Sequence, residues 1–95
     1  MAQRLLMIDD DARLTTMVGD YLRANGFEVD TALTLAAGRE RLRTGSGYDA
    51  LLLDLMLPDG DGLDLTRELR ADARLKRLPL LMLTARGEPL DRIVG

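Results

Sequence analysis

Three short apolar runs end abruptly in polar residues, and amphipathic stretches fill the chain between them. Leu5-Leu6-Met7-Ile8 stops at Asp9-Asp10-Asp11, Ala50-Leu51-Leu52-Leu53 stops at Asp54 with Leu55 just beyond, and Leu78-Pro79-Leu80-Leu81-Met82-Leu83 stops at Thr84. A continuous apolar run bounded by turn residues reads as a strand covered on both faces, the kind found in parallel sheets. Phe27 to Thr31 alternates apolar and polar instead, which suits a strand nearer a sheet edge. Between these runs the period changes to that of a helix. Leu14, Met17, Val18, Tyr21 and Leu22 form a one-face stripe on a helix from Ala12 to Asn25, with Asp11 as N-cap and Asn25-Gly26 as its stop. A second helix is expected over Thr34 to Thr44, with Leu35 and Leu42 inward; Gly38 costs it about 1 kcal/mol relative to Ala. A third spans Leu63 to Asp72, with Leu65 and Leu69 one turn apart, and Glu88 onward reads as the start of a fourth, with Pro89 near its first position.

Strands alternating with helices of this length imply an α/β domain with a parallel sheet and helices on both faces. Right-handed crossovers then bring every strand's carboxyl end to one edge, which is where open α/β sheets bind ligands. Asp9 and Asp10, Asp54, and Thr84 all fall at strand ends of this kind. Leu57-Pro58-Asp59-Gly60 turns the chain sharply just after the central strand. No repeat, low-complexity tract or linker divides the 95 residues, so one domain over 1–95 is expected.

Composition narrows the chemistry mainly by what is missing. The chain has no cysteine and no histidine, which excludes thiolate, zinc–thiolate, phosphohistidine and histidine general-base mechanisms within it. The net charge of −3 is modest, but seven aspartates crowd into two segments, 9–11 and 54–64. No basic patch with interleaved aromatics appears, so direct nucleic-acid contact is not expected. Neither a signal peptide nor an apolar run long enough to cross a bilayer is visible, which points to a cytoplasmic protein.

Carboxylates gathered at one edge repel one another unless a cation intervenes. Aspartate and backbone oxygens with a hydrated remainder suit magnesium, and there is no His or Cys to favour a softer metal. A carboxylate beside such a cation can act as a nucleophile and accept a phosphoryl group. Thr84 would offer a hydroxyl at the same edge, and the small Ala85 leaves room for a phosphoryl group. Alone, Thr84 reads equally well as a cap or turn residue. Asp59-Gly60-Asp61-Gly62 hints at a calcium loop, but Leu63 and Arg70 stand where ligands would be needed. Arg67, Arg70, Arg74, Lys76 and Arg77 read as a solvated helix face and loop.

Leu5 to Asp11, Asp49 to Gly62 and Pro79 to Gly87, at their mutual spacing, resemble the response-regulator receiver domain, the phosphoacceptor module of two-component signalling. Met82-Leu83-Thr84-Ala85-Arg86-Gly87 with Asp91-Arg92 further resembles the winged-helix class of transcriptional regulators. The resemblance implies a flavodoxin-like, doubly wound sheet of strand order 2-1-3-4, with a fifth strand and helix missing from this chain. It implies Asp54 as phosphoacceptor, Asp10 as a direct magnesium ligand, Asp9 acting chiefly through water, and the Met56 backbone carbonyl as a further ligand. Thr84 resembles the hydroxyl that moves toward the phosphoryl group. A sensor histidine kinase would be the donor, and a DNA-binding output domain the responder. Self-association is expected on the side of the fourth strand and fourth helix. Such domains phosphorylate and dephosphorylate themselves but are not enzymes with an external product.

One departure stands out. The family's phosphate-contacting lysine lies on a fifth strand, whereas Lys76, the single lysine here, precedes the fourth. The 95 residues are therefore expected to be a C-terminally incomplete receiver. The alternative is a receiver-like binding module that cannot hold a phosphoryl group. A magnesium-dependent phosphatase is a weaker third reading, since Met56 stands where a second aspartate would serve as general acid.

Overall fold

The apolar runs become the centre of a parallel sheet, and the aspartates that end the first two of them are level with each other. The computed structural model describes residues 2–44, 47–54, 56–57 and 59–83, with main chain alone for Met56 and Leu83. In chain order the elements are β1 (Arg4–Ile8), α1 (Ala12–Ala24), β2 (Glu28–Ala32), α2 (Leu35–Thr44), β3 (Ala50–Asp54), β4 (Met56–Leu57), β5 (Gly60–Asp61), α3 (Gly62–Ala71) and β6 (Leu80–Leu83). Four strands form one sheet in the order β2-β1-β3-β6, parallel throughout. This is the expected doubly wound arrangement, with β2 at the edge as its alternation foretold. The helix start expected from Glu88 lies outside the described residues.

Strand periodicity sorts the core into two faces. Leu6 and Ile8, Leu51 and Leu53, and Leu80 point to one side, where Leu35 and Leu42 of α2 and Leu65 and Leu69 of α3 close over them. Arg39 and Glu68 join these two helices through a two-pronged bond of 3.0 and 2.7 Å. That bond holds the Glu68 carboxyl below, and the Arg39 guanidinium above, their usual ranges. The other face meets α1. Across it, Met7, Leu52 and Leu81 are paired in register and pass from buried, through half-buried, to 41% exposed. Cover thins with distance from α1.

Helix α1 is turned relative to its expected stripe. Met17 and Tyr21 are 64% and 67% exposed, while Thr15 and Gly19 are the residues buried. The docked face follows Thr15, Val18, Gly19 and Leu22, so small residues bring the helix close and the larger apolar ones flank it. Thr15 pays no burial penalty, because its hydroxyl donates to the carbonyls of Asp11 and Ala12. Asp11 does cap the helix, accepting from the Leu14 N–H at 3.0 Å.

Two further departures concern the turn after β3. Met56–Leu57 and Gly60–Asp61 pair as a small antiparallel hairpin that apolar patterning does not reveal. Its tip aspartate, Asp59, accepts from the N–H groups of Leu35 and Ala36 at 2.8 and 3.0 Å, so it serves the open end of α2. Those two bonds hold the Asp59 carboxyl below its usual range. A carboxylate with a depressed folded pKa contributes stability above its ordinary pKa and loses it as pH falls through the folded value. Asp59→Ala should therefore lower the melting temperature at neutral pH, and the gap to wild type should close in acid. A gap that is constant across that titration would count against the tie.

Arg70 also departs from a solvated role. It is half-buried, and its Nη1 donates to the carbonyls of Lys76 and Leu78 at 2.7 and 3.1 Å, fixing the turn before β6.

Candidate functional site

Pairing of β1 with β3 sets Ile8 opposite Leu53. The next residue on each strand is an aspartate, so the register alone places Asp9 and Asp54 side by side where both strands run out. Both are buried, at 4% and 1% exposure, and Asp10 is exposed beside them. One carboxylate oxygen from each of Asp9, Asp10 and Asp54 lies within 4.8 Å of the other two. Asp9 is held from the far side, its Oδ1 accepting the Asp11 N–H at 2.9 Å. That bond and the Asp11 cap fold the triplet tightly onto the start of α1.

The arrangement can hold a small cation. Its donors are hard oxygens, the chain has no His or Cys to compete, and the exposed Asp10 leaves the site open to solvent. Met56 lies two residues past Asp54, on β4, where its main chain pairs with Asp61. Thr84 and Ala85 lie outside the described residues. The remaining acids of the second aspartate segment have other work. Asp59 serves α2, Asp61 accepts from the Leu63 N–H at the start of α3, and Asp64 pairs with Arg67. None of the three belongs to the carboxylate cluster of Asp9, Asp10 and Asp54.

At the opposite edge the structure holds a clamp that local sequence patterning does not reveal. Arg4 stacks over the Tyr48 ring at 5.0 Å, and its guanidinium reaches Asp30 at 3.3 Å. The Tyr48 hydroxyl donates to the same Asp30 carboxylate at 2.6 Å. Burial, then that bond, pushes the phenol pKa up. An alternating Glu28-Val29-Asp30 signals an edge strand, but nothing local says which residue its acid will meet.

The sequence pattern of the response regulator receiver domain family matches residues 5–94. The phosphate regulon transcriptional regulatory protein PhoB of Rhizobium meliloti is 40% identical over 95 residues, which is 100% of this chain and 41% of that protein. Among solved structures, the chemotaxis response regulator CheY4 of Vibrio cholerae superposes with a TM-score of 0.85 at 26% identity, over 94% of this chain and 73% of that one. The response regulator TrrA of Thermotoga maritima, in complex with Mg2+ and BeF, gives a TM-score of 0.79 at 28% identity, over 90% and 71% of the two chains. The chain spans about two fifths of the length of the curated relatives it matches.

Proposed function

The chain belongs to the response regulator receiver family, and from that premise we propose that Asp54 is its phosphoacceptor and Asp9, Asp10 and the Met56 carbonyl complete a magnesium site around it. The observation that carries the reading is the register. Two buried aspartates on adjacent central strands end level with each other, with a third carboxylate in reach. Receiver domains are signalling modules rather than metabolic enzymes, and the chemistry asked of this one is a single transfer.

In that transfer an Asp54 carboxylate oxygen attacks phosphorus, a new O–P bond forms, and the donor departs with the electron pair of the bond that breaks. The phosphoryl donor assigned here is the phosphohistidine of a sensor kinase, since these 95 residues hold no histidine. Magnesium, when bound, neutralises the carboxylates and the equatorial oxygens of the phosphoryl group. The chain's own part is positioning. The end of β3 fixes the nucleophile, and Asp9 is braced by the Asp11 N–H. Thr84 is assigned as the hydroxyl that moves toward the phosphoryl group, and the small Ala85 as the residue that leaves it room. Water attack on the acyl phosphate returns the switch to its resting state.

The TrrA complex with Mg2+ and BeF supports the choice of ions, the PhoB likeness supports a transcriptional output in the whole protein, and the likeness to the DNA-binding response regulator MtrA of Mycolicibacterium paratuberculosis supports DNA as its target. Self-association is assigned to the β6 side, where Leu81 is exposed on the outer strand of the sheet. The receiver itself has no role against DNA. No described helix is long and apolar enough to cross a membrane.

The test is intact mass after incubation with acetyl phosphate and Mg2+. A gain of one phosphoryl group is expected, dependent on the cation; no gain under any condition would leave a binding module instead. Within the site, Asp10→Asn should weaken magnesium binding roughly tenfold, a typical loss for one charge-bearing contact. Asp11→Asn should leave affinity nearly unchanged, since Asp11 faces the helix. Equal losses in a magnesium titration would refute that division.

A further inference from the structure

The edge opposite the carboxylates carries an open hollow of about 660 Å3, between the end of α2, the start of β3 and the turn leading into β6. Its floor is apolar, with Leu42 and Leu78 buried, Leu75 half-buried and Tyr48 at one side. Its rim is cationic. Arg43 comes from the last turn of α2, and Arg74 and Arg77 come from the turn after α3. The carboxylate that also lines it, Asp49, is engaged by the Arg4 N–H at 2.7 Å.

These arginines are available. Arg43 meets the exposed Glu40 one turn earlier on α2 through a two-pronged bond, Arg74 lies 4.0 Å from the half-buried Asp72 of its own segment, and Arg77 has no ion pair among the described residues. Exposed pairs of that kind exchange easily for a better-placed carboxylate. The base beneath them is rigid. Arg70 bonds the carbonyls of Lys76 and Leu78, and the N–H groups of Leu75, Lys76 and Leu78 donate within the turn. Preorganised cations around an apolar floor reduce the ordering cost of a ligand. The Tyr48 ring already has Arg4 on one face, which disfavours a stacking base as the occupant.

We propose that this hollow docks an acidic, leucine-bearing segment of a partner protein. Carboxylates of the segment pair with Arg43, Arg74 and Arg77, and an aliphatic side chain between them rests on Leu75 and Leu78. The site lies across the sheet from Asp54, so a partner can stay bound while the phosphoacceptor reacts. The assignment stands whether or not Asp54 is phosphorylated.

A short fluorescein-labelled peptide alternating Glu and Leu tests it, with the Lys/Leu peptide as control, by polarisation and by amide shifts in the full protein. The acidic peptide should bind, shift the amides of Tyr48 and residues 74–78, and weaken steeply with salt. Arg74→Glu with Arg77→Glu, both exposed positions, should weaken it at least about tenfold while the remaining spectrum shows an intact fold. Absence of binding, equal binding of the Lys/Leu peptide, shifts centred on another surface, or unchanged affinity in the double variant would each overturn the proposal.

Discussion

Asp54→Asn should abolish the gain of a phosphoryl group and, in magnesium-free buffer, raise the melting temperature. The first effect follows from the loss of a nucleophilic carboxylate. The second follows from electrostatics. Two unit charges 4.8 Å apart repel by about 3 kcal/mol at an effective dielectric constant of about 20. Asp9 and Asp54 are both buried, so solvent relieves little of this, whereas the exposed Asp10 adds less. An Asn amide removes one charge and offers a donor to its neighbour, at the expense of whatever interactions depend on the Asp54 carboxylate charge. A net gain on the order of 1 kcal/mol would move the midpoint by about 4 to 8 °C. Magnesium should reverse the ranking. At ten times its dissociation constant a ligand adds about 1.4 kcal/mol to the wild type, and the variant, short of one ligand, should gain little of it. Continued labelling of the variant at full stoichiometry would remove Asp54 from its assigned role. A melting temperature that falls in metal-free buffer would show that the other interactions of the Asp54 carboxylate outweigh its repulsion from Asp9.

Gly38→Ala should destabilise the fold even though alanine is the better helix former. A Cβ at this position would lie 2.3 Å from Cδ1 and 2.9 Å from Cγ1 of Ile8, which is fully buried at the centre of the sheet. Overpacking of this kind costs about 1 to 3 kcal/mol, against a propensity gain of about 1 kcal/mol, so a net loss near 1 kcal/mol is expected. Ile8→Val removes the atom of closest approach, at its own cost of about 0.5 to 1.5 kcal/mol. The double variant should therefore lose less than the sum of the two single losses, by roughly 0.5 to 1 kcal/mol. Strict additivity in denaturant melts would show that the contact is relieved elsewhere. The same displacement reaches the site. Ile8 immediately precedes Asp9, so Gly38→Ala should also loosen magnesium binding, and Ile8→Val should restore part of it.

The central strands were legible because each buried run is short, unbroken and closed by a polar residue, whereas their order was implied by the resemblance to the receiver family. Asp9, Asp10 and Asp54 were legible because strand ends gather at one edge in any right-handed βαβ winding. What stayed hidden depends on contacts between distant segments. Gly38 reads as a weak point in α2 until Ile8 is seen against it. Asp59 reads as a turn residue until Leu35 and Ala36 are seen above it, 24 and 23 positions earlier in the chain. The stripe on α1 misled for another reason. Hydrophobic periodicity marks the larger apolar side chains, whereas close packing here selected Thr15 and Gly19, whose virtue is small size. Arg70 was grouped with its solvated neighbours, since nothing in the local pattern distinguishes a guanidinium that bonds carbonyls from one that faces water.

The shared level of Ile8 and Leu53 bears on how the gene can change. Side chains alternate along a strand, so one residue gained or lost inside β1 or β3 would turn the core face outward and carry one aspartate out of line with the other. A single frame-preserving codon insertion there removes fold and phosphoacceptor together, and no compensating substitution nearby can restore either. The turn at 73–77, on the other edge, bears no such constraint from the carboxylates. Length variation among descendants of this sequence should accordingly be absent from the two central strands.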